Sequence, residues 1–224
     1  MRLFGISSKS PLRFAVLGLS ACLLVTACGG QGKPEPERVT AGQQCDETLT
    51  PDAARSLETV LGTKRFSHDP KGGLERVTSE LIQDYTKPVR GTPYRYLCRA
   101  GLPVGSGTAS IDVRFGFYEE DDLFGEVHPR GLHPYDVGVE AQSGPKRAHL
   151  FVRCVSPRFE GSDKRPARVG GRLDFSRSEL PDTVPVREAN LTILHSVTLA
   201  VVRKLGCEDD AGLTEKPVFK ALPE

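Results

Sequence analysis

The chain has 224 residues, and its 30 Lys and Arg side chains nearly balance 29 Asp and Glu side chains, which leaves a formal net charge of +1. Nucleic-acid binding requires clustered positive charge, so a near-neutral chain is expected to have no nucleic-acid partner. A composition of 38% hydrophobic and 26% charged residues is typical of a folded globular chain and argues against disorder.

The N-terminus has the three zones of a signal peptide. Met1–Arg13 contains basic residues and no acid, Phe14–Val25 is apolar throughout, and small residues follow. The apolar run is about 12 residues long, whereas a transmembrane helix needs roughly 20. The pattern therefore predicts a signal peptide over residues 1–27.

The end of this peptide resembles the lipobox of bacterial lipoprotein precursors, because small residues in the run VTAC lead to Cys28. The resemblance implies a lipid attached to Cys28, which would hold the chain on the extracytoplasmic face of the cell membrane. The run ending at Cys22 also fits, but its use would shorten the apolar zone. Cleavage before Cys28 is therefore favoured, with Cys22, an ordinary signal peptide or an uncleaved anchor as alternatives.

The mature chain is expected to have three parts. Residues 28–43 are rich in Gly, Pro and Glu and predict a flexible tether. Residues 44–207 show apolar periodicity and predict a single folded domain, and residues 208–224 predict a polar tail. Cys45, Cys98, Cys154 and Cys207 remain in the domain, and an even number of cysteines in an exported chain predicts two disulfides. Three pairings are open; Cys45–Cys98 with Cys154–Cys207 is favoured because each pair would join a helix boundary to a strand.

Three helices are expected. Thr50 and Pro51 open the first and Gly62 ends it. The second covers about residues 73–85. The third runs over about Val186–Leu205, with a buried stripe formed by Leu191, Leu194, Val197, Val201 and Leu205.

Five strands are expected between the second and third helices. Ala109–Tyr118 alternates most clearly, with Ile111, Val113, Phe115 and Phe117 on one face. The other strands are predicted at Tyr94–Arg99, Tyr135–Ala141, Ala148–Val155 and Arg168–Phe175. The order of elements predicts an α+β domain, in which an antiparallel sheet of about five strands carries helices packed on one face.

In style, residues 28–210 resemble the small secreted lipoproteins of actinobacteria, many of which are domains of unknown function. The resemblance is carried by Gln44-Cys45-Asp46 and by the runs PDAARSLETVLG, YRYLCRAG and LHSVTLAVVRKLGC. It implies an extracytoplasmic α+β domain with disulfides. It implies no activity and supplies no catalytic residue.

Several residues were weighed as sites. His128 and His133, with Asp136 nearby, would suit a metal site only with a third rigid ligand, and an exposed loop is the simpler interpretation. The acidic run Glu119–Asp122 lacks the alternation and glycine of a calcium loop, which favours a solvated turn. The run Gly105–Gly107 lacks the phosphate-loop and nucleophile-elbow motifs and predicts a plain turn.

His195 in the last helix is expected to be a partly buried structural histidine, because no nucleophile accompanies it in the sequence. Five aromatic residues would line an apolar ligand groove between sheet and helix or, more ordinarily, form core; they are Tyr94, Tyr96, Phe115, Phe117 and Tyr118. We therefore predict no catalytic residue, metal or cofactor.

The sequence favours a non-catalytic envelope lipoprotein that binds an unknown small molecule, lipid or envelope protein. The alternative is a cell-wall or lipid-modifying enzyme with an unrecognised site. A cleft that holds His128 or His133 within hydrogen-bond reach of a carboxylate or serine would favour it, and a closed surface there would count against it. A structural partner in a membrane assembly is the third hypothesis, which a large exposed apolar patch would favour.

Overall fold

The fold was analysed in a computed structural model, which describes residues 38–87, 93–102, 109–124, 130–177 and 179–223. In these ranges there are three α-helices, namely α1 (Pro51–Leu61), α2 (Gly73–Thr86) and α3 (Val184–Leu205). The strands are β1 (Arg38–Val39), β2 (Phe66–Ser67), β3 (Arg95–Gly101), β4 (Ser110–Phe117), β5 (His133–Tyr135), β6 (Glu140–Ser143), β7 (Arg147–Cys154) and β8 (Ala167–Phe175).

The principal sheet is antiparallel and has six strands in the order β3-β4-β8-β7-β6-β5, and β1 and β2 form a separate pair. Helix α3 packs on β6, β7 and β8, α2 packs on β3 and β4, and α1 packs on α3. The predicted α+β fold with helices on one face of an antiparallel sheet is confirmed. We call the face under the helices the helix side and the opposite face the open side.

One predicted strand is wrong in its extent. Tyr135–Ala141 was expected to be continuous, but β5 ends at Tyr135 and β6 begins at Glu140, and the two strands pair as a hairpin. The turn between them needs Gly138, whose φ is +66° and whose added Cβ would lie 2.5 Å from the Phe151 carbonyl oxygen. The alternation of apolar residues therefore continues across a turn that separates two strands. As a result the sheet has six strands rather than five.

The start of α1 follows its sequence signals closely. The Thr50 hydroxyl accepts a hydrogen bond from the Ala53 amide at 3.3 Å, Pro51 occupies the first turn, and Gly62 closes the helix with φ of +62°. Helix α2 is capped from a distance instead. The Asp46 carboxylate accepts hydrogen bonds from the amides of Gly72 and Leu74 at 2.9 and 2.6 Å.

Helix α3 is buried around most of its circumference rather than along one stripe. The predicted stripe is buried, and so are Ile193, Leu199 and Val202. Four polar side chains are buried as well, namely those of Asn190, His195, Ser196 and Thr198. The reason is that the sheet covers one side of α3 and α1 the other, so the helix lies between two layers.

Both disulfides have the favoured pairing. Cys45 is bonded to Cys98 in β3, and Cys154 at the end of β7 is bonded to Cys207 immediately after α3; each pair has Cα atoms 5.0 Å apart. Each bond closes a sequence separation of 53 residues. Cys98 lies opposite the buried Val113, and Cys154 shares its face with Val152, so both bonds lie on the helix side.

Residues on both sides of the predicted domain, 44–207, take part in the fold. At the N-terminal end, Arg38 and Val39 form β1, and Ala41 is buried. All three residues lie in the predicted tether. At the C-terminal end, Leu213 is buried and Ala221 pairs with Tyr135. The compact unit therefore spans Pro36–Glu224. Apolar residues near both of its ends pack against the rest of the fold, and local composition does not predict these contacts.

The open side of the sheet carries an ionic network. Asp112 on β4 accepts hydrogen bonds from Arg99 at 2.6 and 3.0 Å and from Arg114 at 3.0 Å. On β8, Asp174 accepts two from Arg172, at 2.6 and 2.8 Å. The aspartates are mostly covered, whereas the arginines keep 32% to 42% of their side-chain surface in solvent.

Candidate functional site

His195 is the most unusual polar residue on α3. Its side chain is buried, with 2% of its surface exposed, and its Nε2 atom has no hydrogen-bond partner among the residues that the structure describes. Burial lowers the pKa of His195 to about 4, against which the nearby Glu215 carboxylate acts weakly. The imidazole is therefore neutral at neutral pH, and its Nε2 atom is both buried and unsatisfied.

Two cavities meet at this histidine. The first has a volume of about 410 Å³ and lies between α1, α3 and the C-terminal segment, which we define as Gly212–Phe219. The second, of about 350 Å³, is bounded by the β5–β6 turn and the same segment. His195 and Pro217 line both cavities. Volumes of this size fall at the lower end of those of small-molecule sites.

The lining of the first cavity mixes polar and apolar groups. Asp52, Arg55, Glu215 and Lys216 contribute charges of both signs, and Ala189, Pro217 and Phe219 contribute apolar surface. Two of its hydroxyls are already engaged, because Thr59 donates to the Arg55 carbonyl and Thr192 donates to the Glu188 carbonyl. In the described ranges no hydroxyl is hydrogen-bonded to His195, so the histidine has no nucleophile poised for activation.

His133 is the one predicted histidine of the loop that the structure describes. Its Nε2 atom lies 3.1 Å from Asp182 Oδ2, and the same carboxylate lies 3.6 Å from Arg187 Nε. His128 lies outside the described residues, as do Gly105–Gly107 and Cys28. Among the residues that are described, no three His, Cys, Asp or Glu side chains are grouped to hold a metal ion.

The acidic run Glu119–Asp122 forms a turn against the open side of the sheet. Arg168 Nη2 lies 3.0 Å from Glu120 Oε2, and the Asp122 carbonyl accepts a hydrogen bond from Gln142 Nε2 at 2.9 Å. The predicted turn is therefore present. All four of its residues are exposed, as predicted, and contacts with the sheet hold it in place.

The five aromatic residues do not form one groove. Phe115 is buried on the helix side, where Phe117 packs against the core, whereas Tyr94 lies on the open side over Gly116 and Gly170. Tyr118 packs on Phe151 with ring centroids 4.9 Å apart. The hypothesis of a shared ligand groove is therefore wrong, because alternation along the strands sends these side chains to opposite faces.

Sequence reasoning missed the C-terminal segment as part of the site. Its apolar residues, Leu213, Val218 and Phe219, were the available signal, but the surrounding charges and prolines indicated a solvated tail. No protein-family model, curated protein or solved structure matches the chain. Within the described ranges, no helix has both the length and the apolar character needed to cross a membrane.

Proposed function

We propose that the chain is a lipid-anchored extracytoplasmic protein whose folded domain binds a small molecule at His195 without catalysing a reaction. The location rests on the sequence around Cys28, and the two disulfides are compatible with an oxidising compartment. The binding function rests on a single observation, which is the buried and unpartnered Nε2 atom of His195 where two cavities meet.

Leaving that nitrogen without a partner costs free energy. A buried polar atom with no hydrogen bond costs about 1–3 kcal/mol. A ligand that enters the first cavity and supplies the missing hydrogen bond recovers this cost. Because the imidazole is neutral and the lining carries both signs of charge, the ligand class that fits is a small molecule with a hydroxyl or amide group and an apolar portion.

The binding site is tested by ¹⁵N NMR of the histidine side chains in the mature chain with Cys28→Ser. A library of small fragments bearing hydroxyl or amide groups serves as the probe. Fragments that bind are expected to shift the Nε2 resonance of His195 and to leave that of His149 unchanged. His149 is a matched internal control because its Nε2 atom is also buried without a partner.

A blocking variant gives the test its negative arm. Ser56→Phe places a ring in the first cavity from α1, whereas Glu58→Phe adds the same ring on α1 outside the cavity lining. Fragment binding should be lost in Ser56→Phe and kept in Glu58→Phe. Fragments that shift His195 equally in both variants, or a library without a single binder, would overturn the proposed site.

The anchor is tested separately in cells. Intact-mass analysis of membrane fractions should find a mature chain that begins at Cys28 and carries the mass increment of a lipid. Cys28→Ala should release the protein from the membrane, whereas Cys22→Ala should leave it there. Unchanged retention of Cys28→Ala would contradict the anchor and leave the His195 result unaffected.

A second candidate function, the cell-wall or lipid-modifying enzyme, is favoured by the His133–Asp182 contact at 3.1 Å, since a carboxylate commonly orients a catalytic imidazole. Asp182 also lines a cavity of about 410 Å³. Hydrolysis of a chromogenic ester or phosphodiester by the purified chain, abolished in His133→Asn, would support this function. Equal rates in the wild type and the variant would reject it.

A further inference from the structure

A cavity distinct from those at His195 lies between residues 130–132 and the β6–β7 turn. Its volume is about 410 Å³, and its lining includes Arg130, Lys146 and Arg147 beside the apolar Leu132 and Pro145. Three cationic side chains from two separate segments therefore face one opening. Asp182 supplies the one carboxylate of the lining.

The backbone holds these two segments together. Gly144 has no room for a Cβ, which would overlap the Gly131 carbonyl oxygen, so the segments touch through their main chains. Helix α3 fixes the turn from beneath. Asn190 Nδ2 donates to the Gly144 carbonyl at 2.9 Å, and the Ser143 hydroxyl donates to the Arg187 carbonyl at 2.9 Å. The cationic cavity is thus supported by buried hydrogen bonds rather than by a loose loop.

The protein neutralises the positive charge of the cavity only in part. Within the described ranges, Arg130 and Lys146 make no ion pair, whereas Arg147 is paired with Asp174 of the open-side network at 3.8 Å. The single lining carboxylate, Asp182, is already shared between His133 and Arg187 at 3.1 and 3.6 Å. An anion would therefore find two cations without an ion pair, Arg130 and Lys146, and a third, Arg147, whose pair with Asp174 is long.

We infer that this cationic cavity binds a phosphate group, carried either by a free phosphate ester or by the headgroup of an anionic phospholipid. Two arginines and a lysine suit a multiply charged tetrahedral anion, since guanidinium groups donate paired hydrogen bonds and an ammonium adds a point charge. The apolar walls at Leu132 and Pro145 accommodate the part of the molecule next to the phosphate.

Calorimetric titration of the mature chain with Cys28→Ser tests this inference at low ionic strength. Inorganic phosphate and glycerol 1-phosphate are the free probes. The double variant Arg130→Gln/Lys146→Gln should bind about tenfold more weakly or worse, because two charge-assisted hydrogen bonds are lost. The control Lys64→Gln/Arg65→Gln removes the same charge from an exposed site elsewhere and should bind as the wild type does.

Vesicles separate the two sources of phosphate. Binding of both free probes, lost in the double variant, supports a free ester. Sedimentation with phosphatidylglycerol vesicles but not with pure phosphatidylcholine, again lost in the double variant only, supports a lipid headgroup. The inference is overturned if neither probe type binds, or if the control pair weakens binding as much as the cavity pair does. Ser56→Phe should leave phosphate binding intact, so this site and the His195 site fail independently.

Discussion

The two faces of the principal sheet differ in the kinds of contact that stabilise them. On the helix side, apolar side chains of β4, β7 and β8 are sealed beneath α2 and α3, and both disulfides tie strands to the segments around them. On the open side, Asp112 and Asp174 are held among four arginines, and the Nε2 atom of His149 is buried between strands. Most of the stability of the domain should therefore come from the helix side, where contacts are apolar and covalent.

The largest expected effect comes from the disulfide between Cys154 and Cys207. Replacing both residues with Ala should lower the free energy of unfolding by about 4 kcal/mol, because the bond constrains a long loop that includes β8 and α3. Urea denaturation of the purified variant measures the loss. A change below about 1 kcal/mol would contradict the role given to the disulfide, since it would mean that packing alone holds the helix side together.

The next effect concerns His149 and His195, which lie in different regions. Burial lowers the pKa of both His149 and His195 from 6.5 to about 4, and the positive charge of Arg172 contributes at His149. Between pH 6.5 and 4 the unfolded chain therefore binds protons that the folded chain does not. Stability is complete above pH 6.5 and falls with decreasing pH, by about 3 kcal/mol per histidine at pH 4.

Single variants assign that pH dependence to a region. His149→Gln and His195→Gln should each remove about half of the histidine contribution when unfolding is measured at pH 7 and pH 4.5. Other titrating groups are common to all three proteins, so differences between the pH profiles isolate each imidazole. A ligand bound in the first cavity should change the profile of the wild type and of His149→Gln, and that of His195→Gln far less.

Two adjacent glycines of β8 offer a direct test of the two faces. An added Cβ at Gly171 would lie 2.8 Å from Phe115 Cε1 and 3.0 Å from Thr198 Oγ1, against a helix that is packed on the sheet. At Gly170 it would lie 3.0 Å from the hydroxyl of Tyr94, the far end of a flexible side chain. Gly171→Ala should cost about 1–3 kcal/mol and Gly170→Ala less than about 1 kcal/mol. Equal losses would show that the open side is as tightly packed.

The sequence predicted features whose causes are local. The capping of α1 by Thr50 and its end at Gly62 depend on neighbouring residues, and the alternation of β4 records which face of the strand is buried. The helix side was therefore largely predictable. The turn at Gly138 was missed because its glycine interrupts an alternation that continues beyond it.

The candidate site depends on contacts that no local pattern encodes. Glu215 and Phe219 reach the cavity beside His195 from a segment expected to be tail. Asp46 caps α2 by accepting a hydrogen bond from the Gly72 amide, 26 residues away. The open-side network likewise needs the register of β4 against β8, which places Arg114 opposite Arg172 and Asp112 opposite Asp174. Only the folded chain brings these charges together.

The smallest expected effect is on the open side itself. Asp112→Asn removes the charge that Arg99 and Arg114 share, but these arginines keep 42% and 36% of their side-chain surface in water and remain solvated. The free energy of unfolding should therefore fall by only about 1 kcal/mol in the variant. The loss should be smaller at high salt, because water and dissolved ions screen charges at exposed arginines. Urea denaturation at low and high ionic strength measures both quantities. A loss comparable to that of the disulfide variant would mean that the ionic network, and not the helix side, holds this domain together.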